Sequence, residues 1–204
     1  QTLVVAGTFL GMTYGVFMGL YSALRPENPT FLQLVASAVK VPLLYLLTLA
    51  VTLPSLYVFS ALARSPLHLA QTTRLLLMGI VVNLALLASF GPITGFFTLS
   101  TETYPFMVLL NVVFFALAGV AGLVFVKKAL DAVFEPSGKD GPAGDRLGKL
   151  VFRIWVVIYG AVGAQMGWIL RPFIGSPDLP FTPFRPRESS FFEAVIRTIR
   201  DLLF

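Results

Sequence analysis

Within the long apolar stretches of this chain the side chains able to do chemistry are few: the amides Asn83, Asn111 and Gln165, with scattered Ser, Thr and Tyr. An amide donates and accepts hydrogen bonds but does not exchange protons near neutral pH. It can hold a neighbouring helix or line a polar pore, yet it cannot stand in for an acid–base pair. A primary amide among lipid tails loses its hydrogen bonds, so all three are expected to face the interior of a bundle. The single histidine, His68, has no company for a metal site. Cysteine is absent, which removes thiolate nucleophiles, disulfides, iron–sulfur clusters and Cys-ligated zinc. The apolar stretches contain no carboxylate pair, and no Walker, HExxH or GxSxG motif occurs anywhere. Gly144-Asp145-Arg146 follows no strand and lacks phosphate-binding glycine spacing. Neither catalysis nor a metal or cofactor is expected.

Those amides sit in a chain of 204 residues that is 56% hydrophobic and 12% charged, against about 25% charged in soluble domains. The mean hydropathy is +0.83. The expected fold class is all-α: a polytopic membrane bundle of about five transmembrane helices, followed by a proline-rich cap and a C-terminal amphipathic helix. Spans are expected at about 2–24, 38–63, 73–97, 104–130 and 149–170, forming one membrane domain over 1–170. The cap covers 171–188 and the amphipathic helix 189–204. Gln1 leads straight into apolar sequence of span length, so a cleaved signal peptide is not expected. The net charge of +5 comes from residues at span ends, without an aromatic-interleaved basic patch. The lipid bilayer is therefore the expected acidic partner, and nucleic acid is not.

Two spans carry small-residue faces. Gly7, Gly11, Gly15 and Gly19 repeat every four residues in the first, a ladder that lets another backbone approach along most of the helix. It suits packing within the chain, self-association or a pore wall. Gly160, Gly163, Ala164 and Gly167 share one face of the fifth, while Gln165 points elsewhere, so that helix is expected at the centre of the bundle with protein on both sides. Trp155 and Trp168 are placed near its ends, where indoles favour the headgroup level.

Between the spans, RPENPT at 25–30 ends the first helix, and a short interfacial segment is expected over 31–37. Pro54 should kink the second helix, with Thr52 and Ser55 nearby, and GPITG at 91–95 should break the third. The stretch 131–149 is dense in Gly, Pro and charge and reads as a flexible loop. Phe173, Phe181 and Phe184 alternate with prolines, which suits a cap folded onto the bundle. Ser190 and Glu193 form a capping box, and Phe192, Val195, Ile196, Ile199 and Leu203 make one apolar face of the last helix. Lys and Arg near span ends divide eight to five in favour of the side holding the N-terminus. The expected orientation is N-terminus inside and C-terminus outside, in a bacterial inner membrane. Glu102 and Arg171 then fall on one side, as a candidate interfacial charge pair.

The segments KVPLLYLLTLAVTLPSLYVFSAL from Lys40, YPFMVLLNVVFFALAG from Tyr104 and VGAQMGWILRPFIGSP from Val162 resemble uncharacterised bacterial multipass proteins of the Yip1-like five-span type. That resemblance covers span number and apolar pattern. The DLYGP-type run of eukaryotic members is missing, so no functional residue is carried over. It implies a non-enzymatic membrane protein acting through partners. The residues point the same way, to a structural or assembly subunit of a homo- or hetero-oligomeric membrane complex. The alternative is an oligomeric channel with Asn83, Asn111 and Gln165 facing its interior.

Overall fold

The structure is a computed structural model that describes residues 1–24, 30–62, 69–133, 142–175, 181–184 and 191–203. Among these residues six helices follow one another: α1 Thr2–Ala23, α2 Phe31–Leu62, α3 Leu69–Ser100, α4 Tyr104–Val133, α5 Pro142–Ile169 and α6 Phe191–Leu203. In hydrocarbon every backbone N–H and C=O must find its partner inside the segment, which a helix alone achieves without a closed barrel. Among the described residues four stretches are long and apolar enough to cross a membrane: Thr2–Ala23, Phe31–Ser55, Ala70–Ser100 and Tyr104–Ala129. The shortest of these extends about 33 Å, whereas the apolar part of α5, Ile154–Ile169, extends about 24 Å. The chain is an integral membrane protein with an all-α helical fold.

Several boundaries differ from those expected. Residues 31–37 are the first two turns of α2, because Gln33 and Ser37 turn inward and are buried. Pro42 therefore lies well inside the helix, as does Pro54. GPITG does not interrupt α3, which runs through Pro92 to Ser100. Its glycines serve packing: a Cβ on Gly91 would strike the Phe17 ring, and one on Gly95 would come within 3.1 Å of it. Of the stretch 131–149, residues 131–133 finish α4 and 142–149 begin α5. Residues 134–141 lie outside the described residues, as do 25–29 of the RPENPT turn, His68, Ser190 of the capping box, and 176–180 and 185–188 of the cap.

α1 packs against both α2 and α3, α3 continues to α4, and α2 continues to α5. The resulting order, α4–α3–α1–α2–α5, is an arc. Its two ends are bridged by α6, which touches both α4 and α5. α5 is thus an edge helix, not the centre, because only one of its faces meets α2. Trp155 and Leu170 are buried on that face, while Ile154, Val157, Ala161 and Gln165 are exposed on the other. The centre belongs to α1, whose Tyr14, Met18 and Tyr21 are all buried.

Tyr21 donates from its hydroxyl to the Glu102 carbonyl at 2.9 Å, and Tyr104 donates to the Ile174 carbonyl at 3.5 Å. These contacts gather the end of α1, the start of α4 and the segment after α5 at one end of the bundle, measured along the helix axes. That is the antiparallel succession expected of short connections.

Candidate functional site

The α1 glycines set how closely α2 approaches. A Cβ on Gly11 would lie 3.1 Å from Pro42, and one on Gly15 would lie 2.6 Å from the Ala38 Cα. On Gly19 it would strike the backbone of Leu34. Gly7 faces α3 with more room, 3.5 Å from Leu84 and Val81. The faces of Gly79 and Gly122 make a second close crossing, between α3 and α4. The α5 glycines behave differently. A Cβ on Gly160 would meet nothing within 4 Å, and at Gly163 and Gly167 it would meet only Thr48 and Leu44, at 3.6 and 4.0 Å. Among the described residues no backbone comes within 4 Å of a Cβ on this face.

It fronts instead a cavity of about 760 Å³, lined by residues of all six helices and of the segment after α5. α4 and α5, at opposite ends of the arc, form two of its walls. Leu44, Leu76, Ile80, Val108 and Val126 give the wall its apolar character. Val195 and Thr198 of α6 close part of it, which is how the amphipathic helix spends the inner part of its apolar face. Ile196 and Ile199 remain exposed on the outer part.

The structure separates the three amides. Asn111 is buried and accepts at 2.7 Å from the Tyr14 hydroxyl, while its own amide donates to the Met107 carbonyl at 2.8 Å. Asn83 is also buried, accepts from the Tyr45 hydroxyl at 2.8 Å, and forms part of the cavity wall. Gln165 does not join them. It is exposed on the outer face of α5, since it stands one residue round from Met166, which packs against the core. About 100° per residue is enough to carry it off that face.

Glu102 and Arg171 are likewise apart in their chemistry. Glu102 is exposed and contributes its backbone carbonyl to Tyr21, while the Arg171 guanidinium lies 3.7 Å from the centre of the Trp168 ring. Among the described residues no ion pair joins the two. A flat, weakly hydrated guanidinium stacks well on an indole, and that contact takes Arg171 toward the cavity wall. Trp155 is 2% exposed, and its indole N–H points to the Thr52 carbonyl at 3.5 Å, so protein covers its ring.

A cluster that sequence reasoning missed holds the cap. Gln33 donates to the carbonyls of Pro172 and Phe173, both at 3.0 Å, and Ser37 donates to Phe173 as well. Lys40, counted from sequence among the span-end charges, is 5% exposed and donates to the carbonyls of Pro172 and Pro183. Its ammonium also lies 5.1 Å from the centre of the Phe184 ring. Gly175 fits against Ser22, where a Cβ would strike the serine hydroxyl. The seven-residue spacing of Gln33 and Lys40 puts them on one helix face, the only available signal for the cluster.

No protein-family model, curated protein or solved structure matches the chain.

Proposed function

We propose that this chain is a non-enzymatic binding subunit of a larger membrane assembly, one that admits a hydrophobic molecule from the plane of the bilayer into the cavity between α4 and α5. The cavity carries this reading. Its volume of about 760 Å³ falls within the usual range of small-molecule pockets, and its wall is apolar with a few placed polar groups. The assembly part draws support from Gln165, an exposed amide on α5 that hydrocarbon cannot satisfy and a second membrane protein could. A Yip1-like membership and a bacterial inner-membrane location with the N-terminus inside belong to the same proposal. A channel is the weaker reading, because Asn83 and Asn111 are each bonded to a tyrosine of the same chain.

The test is labelling with an apolar diazirine probe in native membranes, followed by mapping of the adducts. Adducts concentrated on cavity residues, and suppressed by Gly160→Leu, are the expected result. Labelling of cavity residues no stronger than that of Val157 or Phe9 on the outer surface would overturn it.

A further inference from the structure

Two polar groups in the cavity wall take no part in holding the bundle together. The Tyr159 hydroxyl is buried and hydrogen-bonds to no described residue. Asn83 uses its oxygen to accept from Tyr45, whereas its amide nitrogen bonds to no described residue and faces the small side of α4, where a Cβ at Gly122 or Gly119 would lie 3.6 or 3.9 Å away. A donor in hydrocarbon without an acceptor costs several kcal/mol, so each invites an acceptor from the cavity.

Depth narrows what that acceptor is. Asn83 lies about 3 Å from the middle of its span, and Tyr159 about 4 Å from the middle of Ile154–Ile169. A glycerolipid carries its oxygens in the interfacial layer, roughly 15 Å from the bilayer centre, and would set only hydrocarbon against these donors. Bulk water is excluded from the same depth. The molecule that fits is neutral, dissolved in the hydrocarbon itself, and bears carbonyl oxygens on an apolar body.

The two donors come from different walls, Asn83 from α3 and Tyr159 from α5, and the glycines on α4 and α5 leave the space beside them flat. We infer that the cavity binds a quinone-type molecule, whose ring carbonyls accept from Tyr159 and Asn83 and whose tail leaves between α4 and α5. A para-quinone carries two carbonyl acceptors on one planar ring, one for each of the two donors. The inference rests on the reading of the cavity as a site for hydrophobic molecules and adds the ligand's polar chemistry.

The purified full chain in mild detergent is titrated with 2-decyl-1,4-benzoquinone, and binding is followed by quenching of Trp155 and Trp168, both in the cavity wall. Decylbenzene, of similar shape and without the carbonyls, serves as the competitor. Saturable quenching is expected, with decylbenzene about tenfold weaker. Tyr159→Phe removes a hydroxyl that holds nothing in the fold. It should weaken quinone binding about threefold to tenfold and leave decylbenzene unchanged. Gly160→Leu, which adds a side chain where a Cβ meets nothing within 4 Å, should weaken both. Equal affinity for the two compounds, or no effect of Tyr159→Phe on the quinone, overturns the carbonyl assignment and leaves the hydrophobic site standing. Failure of both compounds to bind overturns the site as well.

Discussion

The ammonium of Lys40 meets the carbonyl of Pro172 at 3.0 Å, tying α2 to the segment that leaves α5. Proline shapes this contact, because a segment interrupted by Pro172 and Pro183 exposes carbonyls that no helix satisfies. A buried cation that donates to two of them offsets its own desolvation. Lys40→Met keeps the apolar stem and removes the donors, so it should cost about 1–3 kcal/mol. The measurement is the detergent melting temperature, with hydrogen exchange over 171–175 as the local readout. Unchanged exchange there would show that Lys40 does not hold the cap.

The α1 glycines should differ among themselves. Gly7→Ala meets side-chain atoms at ordinary contact distance, 3.5 Å, and should be nearly neutral. Gly15→Ala and Gly19→Ala drive a methyl into α2 backbone and should each destabilise by about 1–3 kcal/mol. Gly11→Ala, at 3.1 Å from Pro42, belongs between them. Thermal melts of the four variants give the order directly, and a flat series would place the α1–α2 contact elsewhere.

The Tyr14–Asn111 bond joins α1 to α4 across the core at 2.7 Å. Interhelical bonds of this kind average about 0.6 kcal/mol in membranes and reach about 1.7. A double-mutant cycle with Tyr14→Phe and Asn111→Leu should therefore return a coupling of about that size, while the same cycle on Tyr14 with Asn83 should return none. Coupling of Tyr14 to Asn83 as strong as to Asn111 would contradict the pairing.

The helical class, the close approach at Gly11, Gly15 and Gly19 and the burial of Asn83 and Asn111 were legible in the sequence, since each follows from one helix's own geometry or from the cost of an amide in lipid. What a single helix cannot reveal is which of its faces is left over. Gln165 obeys the same desolvation rule as Asn83, yet among the described residues α5 packs chiefly on α2 and α6, and the residue is exposed on another side. Lys40 was illegible for another reason: its acceptors are carbonyls 132 and 143 residues away, and a backbone carbonyl leaves no mark in residue identity. The cavity required the arc. The small face of α5 signals that something can come close, and only the helix order shows that no backbone among the described residues does.

Gln165 gives the last prediction. On an isolated chain its amide spends its hydrogen bonds on nothing that hydrocarbon can supply, so Gln165→Leu should leave the monomer as stable as before or slightly more so. In an assembly the same amide is a donor and acceptor for a helix outside the chain, and its loss should weaken that contact by roughly 0.6–1.7 kcal/mol, threefold to twentyfold in the association constant. The two effects have opposite signs and separate readouts. Native mass in mild detergent should shift toward the smaller species in Gln165→Leu, while the melting temperature of that smaller species should not fall. A mass distribution identical to that of the unmodified chain would remove the α5 outer face from any assembly contact. A lowered melting temperature of the monomer would mean that Gln165 finds its partner within the chain.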